Sequence, residues 1–284
     1  MLLLHSPSVK IQTLAIAKVF STRQPRLNAR VAVLIAAFLF VACGRSQNNA
    51  VNPRLADEMP KKIIWAWERP ENLSFLDPNQ YGVAFLSQTI FLQGDQVNIK
   101  PRRQPLELAP GIYVIAVTRI ETNKDTDKRP TFSDEMSTKV ANAIAKTREL
   151  PNVRAIQIDY DAVGSERAFY RQLVKEVRAA LDAGADKSVR VPLTMTALAS
   201  WCTGDAWFND FPVDEAVPMV FQMGADEDKI KTYLRNGNDW REPLCRGSYG
   251  LSVDDPVREG IKDGRRIYYF KSAAWQSEDL QRLK

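Results

Sequence analysis

Short apolar runs rich in branched and aromatic residues recur along the chain from Ile63 onward. They cover Ile63–Trp67, Gly82–Phe91, Tyr113–Ile120, Val153–Tyr160, Val191–Ala199, Ala216–Met223, Ser248–Val253 and Ile267–Ala273. Several are apolar at nearly every position, the pattern of strands covered on both faces of a parallel sheet. Helical spacing falls between them. Asp134–Leu150 follows Ser133, an N-cap type, and carries Val140, Ile144 and Ala145 on one stripe. Ser165–Leu181 places Phe169, Leu173, Val177 and Leu181 on another. Asp226–Leu234 ends before Gly237, Asp255-Pro256 opens a short helical turn, and Ser277–Lys284 closes the chain.

Eight strands alternating with helices predict an α/β fold, a (β/α)8 TIM-like barrel over residues 61–284. The unit between the second and third strands departs from the pattern. Leu92–Val97 reads as a β-hairpin, and no helical spacing follows it. Trp201–Pro212 has room for only a short helix. An open α/β sheet is the rival, but no glycine-rich phosphate loop follows the first strand.

The N-terminal part reads differently. Val31–Ala42 is an unbroken apolar run of 12 residues. A membrane span needs about 20 residues, whereas a signal-peptide core needs roughly 7–15. Residues 1–42 therefore read as a signal peptide, with ordinary cleavage, an uncleaved anchor or an organelle transit peptide as alternatives. Residues 43–60 are polar, contain proline and read as a tether.

Charge sharpens this division. The chain holds 39 Lys+Arg and 34 Asp+Glu, a formal charge of +5. Five of the basic residues (Lys10, Lys18, Arg23, Arg26 and Arg30) lie in the leader, which has no acid. The remainder is formally neutral, so a nucleic-acid partner is not expected. The single histidine, His5, also lies in the leader. Histidine-based triads and histidine-rich zinc sites are thereby excluded from the barrel, and no cofactor or metal is expected. Cys202 and Cys245 could pair in an oxidising compartment. Their places near opposite ends of their strands argue against it.

Without imidazole, acid–base chemistry falls to carboxylates. Along Ala155–Asp161, residues two apart share a face, so Gln157, Asp159 and Asp161 line up on one side. In a barrel that side is the interior, and the run ends at the rim where barrel enzymes place their chemistry. Two neighbouring carboxylates repel, so one holds its proton more tightly, giving an acid and a base from one residue type. The plainer alternative is that both acids cap the next helix or hold a loop. Glu68 and Asp205, after the first and fifth strands, are candidates for a further carboxylate across the mouth. Asp214 and Glu215 precede the sixth strand and should serve structure at the other end. Trp67, Trp201 and Trp275 fall at predicted strand ends, where an aromatic face could stack on a sugar ring. Filling the core is the competing role for each.

Residues Gln157, Asp159 and Asp161 resemble the last three signature positions of the D-x-x-D-x-D-x-E strand of family 18 chitinases. Met219–Gln222 resembles that family's M-x-Y-D run, and Trp275 falls where the family has its floor tryptophan. The resemblance implies a carbohydrate ligand, Asp161 as general acid, Asp159 orienting it, and Gln157, Gln222 and Trp275 as ligand contacts; the rim positions add Glu68 as a catalytic candidate and Trp67, Trp201 and Asp205 as ligand contacts. Gln157 and Gln222 stand where the family has acids, which leaves a non-catalytic binding barrel or an envelope scaffold open. Phe40–Cys43 resembles a bacterial lipobox, which implies acylation of Cys43 and a lipid-anchored protein facing the periplasm or cell exterior. Over longer segments, including Ile64–Pro70, Ile156–Ala162, Leu193–Cys202, Pro212–Gly224 and Cys245–Pro256, the chain resembles DUF3142, a bacterial family of secreted proteins and lipoproteins. That resemblance implies a barrel and secretion, and no particular reaction.

Overall fold

A computed structural model describes residues 59–183, 190–204, 207–257 and 259–283. The leader, Cys43, the tether up to residue 58 and Asp205 lie outside them. Eight parallel strands close on themselves: β1 (Lys62–Ala66), β3 (Tyr81–Gln93), β6 (Tyr113–Thr122), β7 (Val153–Asp159), β8 (Leu193–Leu198), β9 (Glu215–Met219), β10 (Ser248–Ser252) and β11 (Arg266–Phe270). Closure is explicit in the register. Ile63 of β1 pairs with Tyr268 on one side and with Gly82 on the other. All eight predicted strands are present, and the chain is a (β/α)8-type barrel.

Among the described residues, the four crossovers from β6 to β10 carry a helix and the other three do not. The helices are α1 (Asp134–Lys146), α2 (Arg167–Ala183), the single turn α3 (Ala199–Thr203) and α4 (Glu227–Arg235). Ser133 caps α1 as expected, its Oγ accepting from the Met136 N–H at 3.1 Å. Helix α1 buries Met136, Val140 and Ile144, and α2 buries Phe169, Leu173, Val177 and Leu181. Each large side chain so buried contributes about 1.5–3 kcal/mol.

Elsewhere strands replace helices. The expected hairpin is formed by β3 and antiparallel β4 (Gln96–Pro101), turning at Gly94. Two three-residue strands, β2 (Glu71–Leu73) and β5 (Leu106–Leu108), pair outside β1 and β3. Leu73, Leu76, Ala109, Ile112 and Trp275 pack there against Ile64, Ala66 and Val83. Between β10 and β11 no helix occurs among the described residues, so the turn expected at Asp255-Pro256 is an irregular loop. A proline suited to the first turn of a helix does not make one without an apolar face to bury.

Inside the barrel lie Ile63, Trp65, Ala84, Ile115, Val117, Ala155, Val217, Tyr268 and Phe270. Two inward positions are glycine for want of room. A Cβ on Gly82 would meet Ile63 Cδ1 at 2.7 Å, and one on Gly250 would meet Met219 Sδ at 2.6 Å. The N-terminal end is plugged by Met59, 2% exposed. Beneath the interior, buried Arg266 ion-pairs with Glu215 and donates to the carbonyls of Pro60 (2.9 Å) and Met59 (3.2 Å). Asp214 accepts from Arg178 and from the Leu193 N–H, both at 2.9 Å, and pairs with Arg190. Both acids therefore hold the closed end together.

Cys202 and Cys245 are bonded, with Cα atoms 6.0 Å apart, which corrects the expectation from their strand ends. The reason is that neither lies on a strand. α3 folds back over the outside of the barrel, and the 3-10 turn Pro243–Gly247 comes up to meet it. The N–H groups of Arg241 and Glu242 donate to the Cys202 carbonyl (2.9 and 3.2 Å). Both sulfurs belong to the outer core, with Trp240 and Leu244.

Candidate functional site at the barrel mouth

The inward face of β7 carries Gln157, Asp159 and, just past the strand, Asp161, as their spacing requires. They lie at three depths. Gln157 is fully buried, and its Nε2 donates to Thr194 Oγ1 at 3.0 Å while its Oε1 finds no hydrogen-bond partner among the described residues. A ligand at the mouth cannot reach it, so Gln157 supports the layer above and is no ligand contact. Asp159 is 6% exposed. Asp161 is exposed and has no hydrogen-bond or ion-pair partner among the described residues.

Both oxygens of Asp159 are occupied. Arg119 Nη1 donates to Oδ2 at 3.0 Å, and Thr196 Oγ1 donates to Oδ1 at 2.8 Å. Burial pushes the Asp159 carboxyl above its ordinary range; the Arg119 charge opposes this, and the Asp161 charge adds to it. Arg119 stands level with Asp159 in the parallel ladder. Its Nε donates to Glu121 Oε1 at 2.9 Å, and its guanidinium lies 5.9 Å from the ring of Trp67. One arginine thus ties two carboxylates and an aromatic face together. Sequence reasoning passed over it, although a charge between Thr118 and Ile120 in a strand pattern was the available signal.

Trp67 leaves β1 at the mouth and is half-buried against Trp65 (5.5 Å between centroids) and Phe270 (6.3 Å), and Phe221 packs on Phe270 at 4.9 Å. These rings floor the mouth. The backbone of Trp67 is fixed by Arg102, whose Nη1 donates to its carbonyl at 2.6 Å. A cavity of about 310 Å³ opens beside this floor, lined by Phe91, Arg119, Glu121, Lys124, Asp159 and Asp161 among others. Lys124 is matched by Glu166 at 3.2 Å. Burial works against the Glu166 charge, but hydrogen bonds from Thr122 and the Val163 N–H, together with Lys124, hold its carboxyl below the usual range. Glu166 is therefore more than a helix cap, since it fastens the end of β6 to the loop after β7.

Other expected contacts lie elsewhere. Trp201 is 5% exposed and sits in the outer layer, its ring 4.9 Å from Trp207 and 6.2 Å from Phe208. The immediate start of α3 after β8 turns it outward, so it is no platform at the mouth. Trp275 is 3% exposed and lies outside β1, its Nε1 donating to the Trp65 carbonyl at 2.8 Å. It braces the mouth rings from behind and does not line the mouth cavity. Glu68 is exposed and accepts from the Arg103 N–H at 3.1 Å, on the loop after β4, which ties it to the loops rather than to the Asp159 cluster. Gln222 is exposed past β9 with φ of 49°, a left-handed conformation that costs a non-glycine residue about 1–3 kcal/mol. Among the described residues no group of three or more His, Cys, Asp or Glu could hold a metal ion, and no helix is long and apolar enough to cross a membrane.

No protein-family model matches the chain, and no curated protein matches it. Among solved structures, a family 18 chitinase from Crocus vernus is similar over 74% of this chain and 92% of that one, at 11% identity and a TM-score of 0.45. A family GH18 chitinase from Chromobacterium violaceum is similar over 81% of this chain and 86% of that one, at 11% identity and a TM-score of 0.44. The barrel itself is established by its closed strand register.

Proposed function

We propose that the barrel binds a carbohydrate at its C-terminal mouth. The observation that carries this is a cavity lined by Arg119 and the exposed carboxylate Asp161, with the half-buried ring of Trp67 standing 5.9 Å from the Arg119 guanidinium. An aromatic face takes the C–H side of a sugar ring, and charged groups beside it take the hydroxyls. Hydrolysis is the second reading, favoured by the contrast within the carboxylate pair. Asp161 is open to a glycosidic oxygen, while Asp159 below it is locked by Arg119 and Thr196. A retaining mechanism with an enzyme nucleophile needs a second free carboxylate about 5–5.5 Å from the acid. Asp159 is not free, so hydrolysis would rest on Asp161 as general acid and on a nucleophile from substrate or water.

Isothermal titration of the protein with N-acetylglucosamine oligomers, cello-oligosaccharides and peptidoglycan fragments tests the first reading. Binding should weaken roughly tenfold in Trp67→Ala. Absence of binding across the panel in the wild type removes the reading. Reducing-sugar release tests the second; turnover by the wild type that persists unchanged in Asp161→Asn takes Asp161 out of the mechanism. The leader supports a further proposal, that the chain is exported and anchored through lipid on Cys43. Metabolic labelling with a palmitate analogue should mark the wild type and not Cys43→Ser.

A further inference from the structure

The wall beside the mouth is taller than the rest of the rim, and a β-bulge decides what it presents. β6 pairs with β7 as far as Arg119 and Asp159, then continues alone with β3 through Ile120–Ile90, Glu121–Phe91 and Thr122–Leu92. Three residues of strand rise about 10 Å above Asp159. The β3–β6 register shifts between Leu86 and Gln88, leaving Ser87 as the extra residue. Below it, even-numbered side chains such as Ala84 point into the barrel. Above it, Ile90 and Leu92 are fully buried in the outer core with Val140 and Ile144 of α1, and Phe91 lines the cavity with Arg119 and Glu121. A one-residue slip exchanges the faces of a strand. Were Ser87 paired as an ordinary ladder residue instead of bulged out, Phe91 would face α1 and two buried aliphatic side chains would face the mouth. The bulge is held on two sides: Ser87 Oγ donates to the Val117 carbonyl and the Ser87 carbonyl accepts from the Arg102 N–H, both at 2.8 Å.

We propose that this wall is a second sugar-binding subsite, with Phe91 as its stacking platform, so that the ligand is an uncharged oligosaccharide running from the mouth up the β3–β6 wall. The inference rests on the carbohydrate reading of the mouth and adds ligand length and charge to it. Phe91 is half-buried, held on its strand and turned to the cavity, whereas Gln93 and Asn123, hydrogen-bonded to each other at 2.9 Å, finish the wall with amide groups. The charges also select. Arg119 is already matched by Asp159 and Glu121, and Lys124 by Glu166, so among the described residues lining the cavity the carboxylate without an ion-pair partner is Asp161. A uronate would meet repulsion there.

Titration with N-acetylglucosamine and glucose oligomers of one to six units, and with trigalacturonate, tests the proposal in the wild type, Phe91→Ala, Phe91→Trp and Trp67→Ala. The wild type should gain affinity with length and bind trigalacturonate at least tenfold more weakly than neutral trimers. Phe91→Ala should lose roughly five- to tenfold on the longer ligands and little on the monosaccharide, and Phe91→Trp should restore the gain. Thermal melts confirm that each variant is folded. A length dependence unchanged in Phe91→Ala, with Trp67→Ala still weakening every ligand, overturns the subsite and leaves the mouth reading standing. Equal affinity for trigalacturonate and neutral trimers overturns the charge selection. A wild type that binds no oligomer overturns the mouth reading itself.

Discussion

Breaking the Cys202–Cys245 bond should cost this barrel a sizeable part of its stability without touching the mouth. The bond joins residues 43 apart, and the enclosed segment contains β9 and α4. In the chain-entropy relation, a loop of that length removes about 13 cal/mol/K from the unfolded ensemble, or about 4 kcal/mol at 25 °C. For a domain of this size each kcal/mol moves Tm by about 2–4 °C, so reduction should lower Tm by roughly 8–16 °C. Both sulfurs are fully buried, so the protein has to be unfolded in urea with a thiol and refolded in its presence. Urea titrations followed by tryptophan fluorescence then compare oxidised and reduced protein. The reduced form should show a lower unfolding free energy and a steeper m, because its unfolded chain exposes more surface. The Cys202→Ala/Cys245→Ala variant should fall somewhat further, since it also loses buried packing. Unfolding free energies equal within about 1 kcal/mol, with equal m, would refute the loop-entropy reasoning. Loss of oligosaccharide binding on reduction would refute the confinement of the bond to the outer layer.

Three further perturbations separate stability from ligand chemistry. Arg119→Met leaves the buried Asp159 carboxylate without its cation; because the arginine is itself one-third open to water, the cost at pH 7 should be about 2 kcal/mol in urea unfolding. A carboxyl whose folded-state pKa lies above its unfolded value binds its proton more tightly in the native state, so stability falls as pH rises through the raised value; the Arg119→Met deficit should be large at pH 7 and shrink toward pH 4. Asp159→Asn removes that group, so its urea midpoint should rise less steeply than that of the wild type on acidification, while ligand affinity changes through the released Arg119. Glu215→Gln strands the Arg266 charge in the closed end and should cost about 3–5 kcal/mol, whereas Glu215→Leu/Arg266→Met should recover most of it, both with unchanged oligosaccharide binding.

The strands were legible because buried parallel strands are written as nearly unbroken apolar runs, and each of the eight has one. What replaced the helices was not. Glu71–Leu73 and Leu106–Leu108 are too short to carry a period, and they become strands only because they meet each other over β1 and β3. At the site, period-two spacing placed Gln157, Asp159 and Asp161 on the inner face, and the structure keeps them there. It failed for side chains beyond a strand end, where the chain is free to turn. Trp201 and Trp275 turned outward, and Trp67 did not. Phe91 was hidden for a sharper reason. An unbulged reading of Gly82–Phe91 sends Phe91 to the opposite face from Ala84, and only the extra residue at Ser87, invisible in the hydropathy pattern, reverses it. Cys202 and Cys245 were misjudged because strand ends fix height in the barrel but say nothing about how the outer layer folds back across it.

The plug at the closed end also sets a direction of loading. Arg266 grips the carbonyls of Met59 and Pro60 directly beneath the barrel interior, so the main chain arrives on the axis at the end opposite the mouth. Force applied through the chain at Met59 is borne by the closed end, through a buried ion pair and the first strand, and not by the rim that carries Trp67, Phe91 and Asp161.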